Sequence, residues 1–359
     1  MVRGAALAAR GWVMLGWIVN LFRGTPKTAP GVARTGAGAD PARVPVATGP
    51  SYLELLRTQV KAPMPLTPEE DEQVGGLVSR VLAYVVEREL EPPTMPALAP
   101  RVLDTLKDPR LDVARLARTL ENDQAISAKV LTIANSAMFS PTKSVASLRD
   151  AITLLGIDQV AQIAIGLATR SLFDSGARAE LAVDRGRWNR LFVHSMVTAF
   201  ATADIVAKQQ RRASDEAFLS GLFHDVGKVV ALRAISAMTV AGEWPNISDD
   251  LLDEVLHRVH GLHGEALYAQ WTLPSALLQV CAMHHRLEAC AEAPPLLHWV
   301  SLVSSFDALR NGSPCQQREA LAELPTCATR LGLTDPQLRV AHTATKEFAE
   351  RVQRLFALS

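Results

Sequence analysis

From Pro68 to Leu90 the apolar positions Val74, Leu77, Val78, Val81, Leu82 and Val85 recur at i, i+3, i+4, i+7, i+8 and i+11, a single stripe along one helix. Such a stripe predicts a core helix packing on the next domain. A dimerisation helix reads the same way, so a homo-oligomer stays open. Pro92, Pro93 and Pro96 interrupt the pattern, and from there the chain reads as helix after helix joined by short breaks. Asp112 can cap a helix running through Leu120, and Ile126, Val130, Ile133 and Ala134 form the inner face of the next, which ends at Asn135–Ser136. Further helical stretches cover Trp188 to Asp204 and Asp253 to Trp271. Leu338, Ala341, Thr345, Phe348, Val352 and Leu355 mark a final amphipathic helix, expected to pack back onto the domain. No alternating run of β-branched residues is long enough for a sheet. The predicted fold class is all-α.

The first fifty residues break this pattern. Residues 1–23 carry an apolar run from Gly11 to Val19, short of the roughly 20 residues that span a bilayer, with Arg3 and Arg10 before it and Trp12, Trp17 and Phe22 around it. Asn20 to Arg23 is a poor cleavage site for a signal peptide. An interfacial anchor fits this stretch, as do a disordered tail and a start placed too early, Met14 being a later start. Residues 24–50, rich in Gly, Ala, Pro and Thr, read as a flexible linker, and residues 51–91 as an amphipathic helical segment.

The chain has 359 residues, 48% hydrophobic and 21% charged, enough to bury a sizeable core. Its formal charge is zero, so nothing global draws it to nucleic acid or to a membrane. Arg101, Arg115, Arg118 and Lys129 are interspersed with Asp104, Asp108, Asp112 and Glu121, the mixture of a solvated surface, and no nucleic-acid partner is expected. Cys281, Cys290, Cys315 and Cys327 form no C-x-x-C, which fits a reducing cytoplasm.

The chemistry concentrates in FLSGLFHDVGKVV, Phe218 to Val230, which joins apolar helix positions to His224–Asp225, Gly227 and Lys228. Neighbours on a helix point about 100° apart, so this pair can share an ion only if other helices complete the shell. Candidates are His194 in an apolar helix, His257, His260 and His263 at successive i, i+3 spacings, the doublet His284–His285, and Asp307. Mixed imidazole and carboxylate donors without thiolates suit iron, manganese, zinc or nickel rather than a structural zinc site. There are donors enough for two ions, with Asp225 as the bridge.

In this order the residues resemble the HD superfamily of metal-dependent phosphohydrolases, at His194, His224, Asp225, His260, His284, His285 and Asp307. The resemblance selects His260, because the family's glycine follows four residues later at Gly264 and its W-x-L-P begins at Trp271. His263 becomes a neighbour, outside the donor set or facing solvent. Upstream, MPALAPRVLDTLKDP, LARTLENDQAISAKVLTIANSAMF and SLRDAITLLGIDQV narrow the resemblance to the HDOD (HD-related output domain) branch, above all in Asn135–Ala137 and Leu154–Gly156. It implies a domain over residues 92–312, with C-terminal helices over 313–359 packing on it. Gln124 departs from the pattern, where the family usually has proline.

HDOD domains are regarded as mostly non-catalytic signalling modules of bacteria, whereas this chain carries the whole donor set. The D-G-x-G-Y-P segment of the related HD-GYP phosphodiesterases is replaced by RLEACAEAPP. The first expectation is therefore a cytoplasmic regulatory module acting through signalling proteins, with a divalent-metal site. The alternative is a phosphohydrolase in which bound ions acidify water and stabilise the phosphoester oxygens, with Lys228, one turn after His224, neutralising phosphate charge. One ion is expected on His194, His224, Asp225 and Asp307, and a second, weaker one on His260, His284 and His285.

Overall fold

Short local signals start several of the helices. The computed structural model describes residues 51–60, 64–88, 90, 92–136, 139, 144–173, 185–210, 214–271, 273, 275–289 and 293–356. The expected anchor and linker, and Ala137, Pro274 and Cys290, lie outside these residues. After α1 (Tyr52–Gln59), α2 (Pro68–Glu87) opens on a capping box: Glu70 N–H donates to Thr67 Oγ1 and Thr67 N–H to the Glu70 carboxylate, with Pro68 in the first turn. Its predicted stripe is the buried face, through Val74, Leu77, Val81 and Val85.

Next come α3 (Leu98–Lys107), α4 (Val113–Leu120) and α5 (Gln124–Ala134). Asp112 caps α4 by accepting from Arg115 N–H, and Asp123 caps α5 by accepting from Ile126 N–H. Gln124 is the first residue of α5, where the backbone N–H has no helical partner; proline and glutamine are both tolerated there, which accounts for the departure. Asn135 closes α5 and pins the following segment, its side chain accepting from Val145 N–H and donating to Val145 O, both at 2.8 Å. α6 (Leu148–Leu155) and α7 (Ile157–Thr169) meet at 115° through Gly156, whose φ of +92° favours a residue without Cβ. The Asn135 and Leu154–Gly156 motifs thus have structural work of their own.

The second half comprises α8 (Arg185–Gln210), α9 (Ser214–Phe223), α10 (Val226–Val240), α11 (Asp249–Trp271), α12 (Ser275–Met283), α13 (Pro295–Asn311), α14 (Pro314–Leu331) and α15 (Asp335–Phe356). Among the described residues there is no strand. α8 is long and apolar enough to cross a membrane, but 67% of its apolar window is buried against other helices, the pattern of a central core helix. It packs on α9, α13 and α15, α10 packs on α11, and α13 on α14.

Two apolar cores result. One runs from α2 through α12 and takes in the end of α15; the other joins α1, the end of α8 and α12 through α15. Cys281 belongs to the first and Val280 to the second, so His284, one turn on, emerges where the two meet.

Candidate metal centre

The pair His224–Asp225 lies not within a helix, as the sequence pattern suggested, but in the two-residue break between α9 and α10. Asp225 occupies the N-cap position of α10 without making a side-chain cap. Its carboxylate is left free for other partners. The doublet His284–His285 lies in an equivalent break after α12.

Helix ends also orient the imidazoles. Carbonyls near the ends of α9 and α12 hold two of the rings: His224 Nδ1 donates to Gly221 O at 2.7 Å, and His284 Nδ1 faces Cys281 O at 3.3 Å and Val280 O, which also accepts from His284 N–H, at 3.1 Å. Within α11, His260 Nδ1 donates to His257 O at 2.6 Å. With the proton on Nδ1 in each case, the Nε2 lone pairs point inward. Close approach of α10 and α11 makes this reach feasible, since a Cβ on Gly227 would lie 1.8 Å from His260 O.

The inward nitrogens sort onto the two oxygens of Asp225. His224 Nε2 and His194 Nε2 lie 3.5 and 3.7 Å from Oδ2; His284 Nε2 and His260 Nε2 lie 3.5 and 3.7 Å from Oδ1. His285 joins the Oδ1 group, its ring centroid 4.1 Å from that of His284. Lys228 Nζ donates to Oδ2 at 2.6 Å from one turn along α10. The lysine expected at a phosphate is thus paired with the bridging carboxylate itself.

Two expected residues sit differently. Asp307 Oδ2 accepts from His194 Nδ1 at 2.8 Å, on the side of the ring away from His224, and Oδ1 accepts from Arg310 at 3.0 Å. Asp307 therefore orients His194 and does not join the converging donors. His263 is buried, not solvent-facing, and neither of its ring nitrogens has a hydrogen-bond partner.

Burial sets the charge states. It would push the Asp225 carboxyl up, but the Lys228 ammonium and His224 beside it hold it well below the usual carboxylate range. Burial drives His224, His260 and His285 well below the ordinary histidine range, so these rings are neutral and able to ligate. Burial would raise the Asp307 carboxyl too, but His194 and Arg310 together hold it below the usual carboxylate range.

These residues fit a cation. Asp225 Oδ1 and His284 Nε2 are buried without any hydrogen-bond partner, and such orphaned acceptors are costly. On the other side His194 Nε2 and His224 Nε2 stand 3.2 Å apart. With both Nδ1 atoms donating elsewhere, their lone pairs face each other, and a shared positive charge would relieve the repulsion. Asp225, His260, His284 and His285 form one donor group and His194, His224 and Asp225 the other.

Sequence reasoning passed over Glu323 of α14, whose Oε1 lies 2.5 Å from His285 Nδ1, and Ser304 of α13, 3.2 Å from His194 Nε2. The signal for Glu323 was present: it interrupts the buried stripe Ala320, Leu324, Cys327 on α14, where a carboxylate needs a partner. Beside the donors His194 and His285, Lys228, Asp253, His257, Glu319 and Glu323 help line a cavity of about 40 Å³.

Together these features define an all-helical protein with a buried imidazole–carboxylate centre of divided donors. The chain belongs to the HDOD family, whose domain model matches residues 93–287, more than half of the chain. Among solved structures it is similar to an HDOD domain protein of unknown function from Geobacter sulfurreducens (22% identity, 78% of this chain and 99% of that one, TM-score 0.56). It is also similar to a protein from Shewanella amazonensis SB2B named provisionally as a metal-dependent phosphohydrolase (21%, 79% and 100%, TM-score 0.52). A third, from Marinobacter aquaeolei VT8, is named provisionally as a signal transduction protein (19%, 80% and 64%, TM-score 0.50). A curated relative, an uncharacterized protein of Treponema pallidum, is 22% identical over 258 residues, a match that covers 67% of this chain and 48% of the relative's length.

Proposed function

We propose that this chain is a regulatory HDOD module of bacterial signalling, which holds divalent metal at Asp225 and acts through contacts with other proteins. The observation that carries this reading is the enclosure of the centre. His224, Asp225, His260 and His284 are buried, His194 and His285 are half-buried, and the adjoining cavity of about 40 Å³ has room for a few waters at most. A nucleotide needs a pocket several times larger, in the range of about 300 Å³ and above.

His194, His224, Asp225, His260, His284 and His285 would hold the metal, with Asp307 steadying His194. A divalent ion there supplies charge neutralisation and Lewis acidity. In a regulatory module the first suffices, because it fastens α8, α10, α11 and the turn after α12 to one another. The output surface we assign to α3–α7, where Arg115 and Arg118 lie on α4. A cytoplasmic setting, with peripheral membrane contact through residues 1–23, belongs to the same proposal; fractionation of the full chain against one starting at Pro50 tests the latter.

The phosphohydrolase reading is favoured by one feature, the division of a single carboxylate between two donor groups. Turnover decides between the two. Protein loaded with manganese or iron is expected to hold metal by elemental analysis and to leave a generic phosphodiester intact, while Arg115→Glu with Arg118→Glu abolishes partner binding and His224→Ala does not. Metal-dependent cleavage lost in His224→Ala would overturn the regulatory reading in favour of the hydrolase.

A further inference from the structure

The geometry points to Glu323 as a positioning residue for cation binding on the Oδ1 side of Asp225, and so makes α14, beyond the residues matched to the family, part of the centre. We infer that without Glu323 this position binds its ion more weakly while the Oδ2 side is unaffected. The inference rests on the metal reading above.

Three of the inward-facing rings, His224, His260 and His284, are backed by carbonyls of their own helix, which fixes them as soon as the helix forms. His285 has no carbonyl behind it. Its Nδ1 meets Glu323 Oε1 at 2.5 Å, and Glu323 Oε2 accepts from Ser305 Oγ at 3.2 Å, so both oxygens of this buried carboxylate are engaged. A carboxylate behind a ligating imidazole fixes its orientation and tautomer and raises its basicity.

Only one proton fits between Nδ1 and Oε1. A cation on Nε2 requires that proton on Nδ1, leaving the carboxylate as its charged partner. The arrangement mirrors Asp307 behind His194, so each half of the centre has one carboxylate-backed histidine.

The helix that carries Glu323 is itself fastened to the domain. Arg318 donates to Glu254 of α11 at 2.5 Å, and Cys315 Sγ donates to the same oxygen at 3.1 Å. Ser313 and Gln316 close a capping box at its start. One turn before Glu323, Glu319 faces His257 at 3.5 Å instead, outside both donor groups, and supplies a control.

Calorimetric titration of the metal-free full chain with Mn²⁺ tests this. Wild type and Glu319→Gln should bind two equivalents. Glu323→Gln should lose roughly 10–100-fold in affinity for one equivalent and keep the other, with an unchanged circular dichroism spectrum, and Glu323→Asp should recover part of the loss. Equal binding by Glu323→Gln and wild type would overturn the assignment, as would loss of both equivalents together in both Glu323 variants. A wild-type chain that binds no Mn²⁺ would instead remove the metal reading, and this role with it. Should Glu323→Gln fail to fold, Ser305→Ala frees the carboxylate's other oxygen and should weaken the same equivalent severalfold; no change there overturns the proposal.

Discussion

The two oxygens of Asp225 face different surroundings. Oδ2 is already served: Lys228 donates to it at 2.6 Å, and the pair His194 and His224 carries Ser304 alongside. Oδ1 has three imidazoles around it and no hydrogen bond at all. The ammonium thus stands in for a cation on one side, while the other is left with acceptors only. An incoming ion should therefore settle first at Oδ1, the reverse of the order expected from sequence, and must displace or tolerate Lys228 at Oδ2.

The largest effect should come from removing the carboxylate that both sides share. Asp225→Ala abolishes both positions and leaves the Lys228 ammonium buried without its partner, at about 3–5 kcal/mol for a broken buried pair. Chemical denaturation of metal-free protein and elemental analysis should show the loss of stability and of all bound metal. Retention of one equivalent would mean that the halves do not depend on a common bridge.

Lys228→Met sharpens the comparison from the other direction. The metal-free variant should be destabilised by an amount of the same order, about 3–5 kcal/mol, because Asp225 then lacks its charged partner. Unlike Asp225→Ala, it should regain most of that stability with Mn²⁺, since ions that bind only the folded state stabilise it by mass action. If Mn²⁺ restores nothing, Lys228 is not acting as the resident cation.

Acid gives a reference outside both donor groups. Burial lowers the His263 pKa to about 4 against 6.5 for the free side chain. The unfolded chain takes up this proton first, so stability falls as pH drops from about 6.5 and the fall ends near 4, amounting to about 3 kcal/mol. Equilibrium unfolding of His263→Leu across that window should show a correspondingly shallower pH dependence. An unchanged slope would place the acid sensitivity elsewhere, with His257, whose pKa burial also lowers to about 4, the next residue to test.

The smallest effect is expected from Asp307→Asn, which keeps the contact to His194 but removes its charge. One Mn²⁺ equivalent should weaken by roughly 10–100-fold, about 1.4–2.7 kcal/mol, and the other should be unaffected in the same titration. Equal weakening of both would show that the two sides are not independent.

Most of the scaffold was legible in the chain. The cap at Asp112, the inner face Ile126 to Ala134 and the stripe of α2 reappear as α4, α5 and the buried side of α2, and the all-α class holds across the described residues. The candidate donors were legible as residue types, but their arrangement was less so. His224 and Asp225 read as consecutive helix positions because the apolar pattern continues through them, whereas the helix breaks there and releases the carboxylate. Asp307 read as a donor like the others, and its place behind His194 depends on the register between α8 and α13. His263 read as an outer position on α11, which packing buried.

What the sequence determined by itself, then, was local: capping and periodicity act over three or four residues, and these suffice to fix helices, their buried faces and the stock of imidazoles and carboxylates. Which oxygen of Asp225 each imidazole faces, why Lys228 is bound to that carboxylate, and how Glu323 of α14 comes to stand behind His285 were decided only by tertiary structure. Those relations join residues on different helices, and they hold because packing buries the groups together, where desolvation makes each unpaired charge or lone pair expensive enough to dictate its partner.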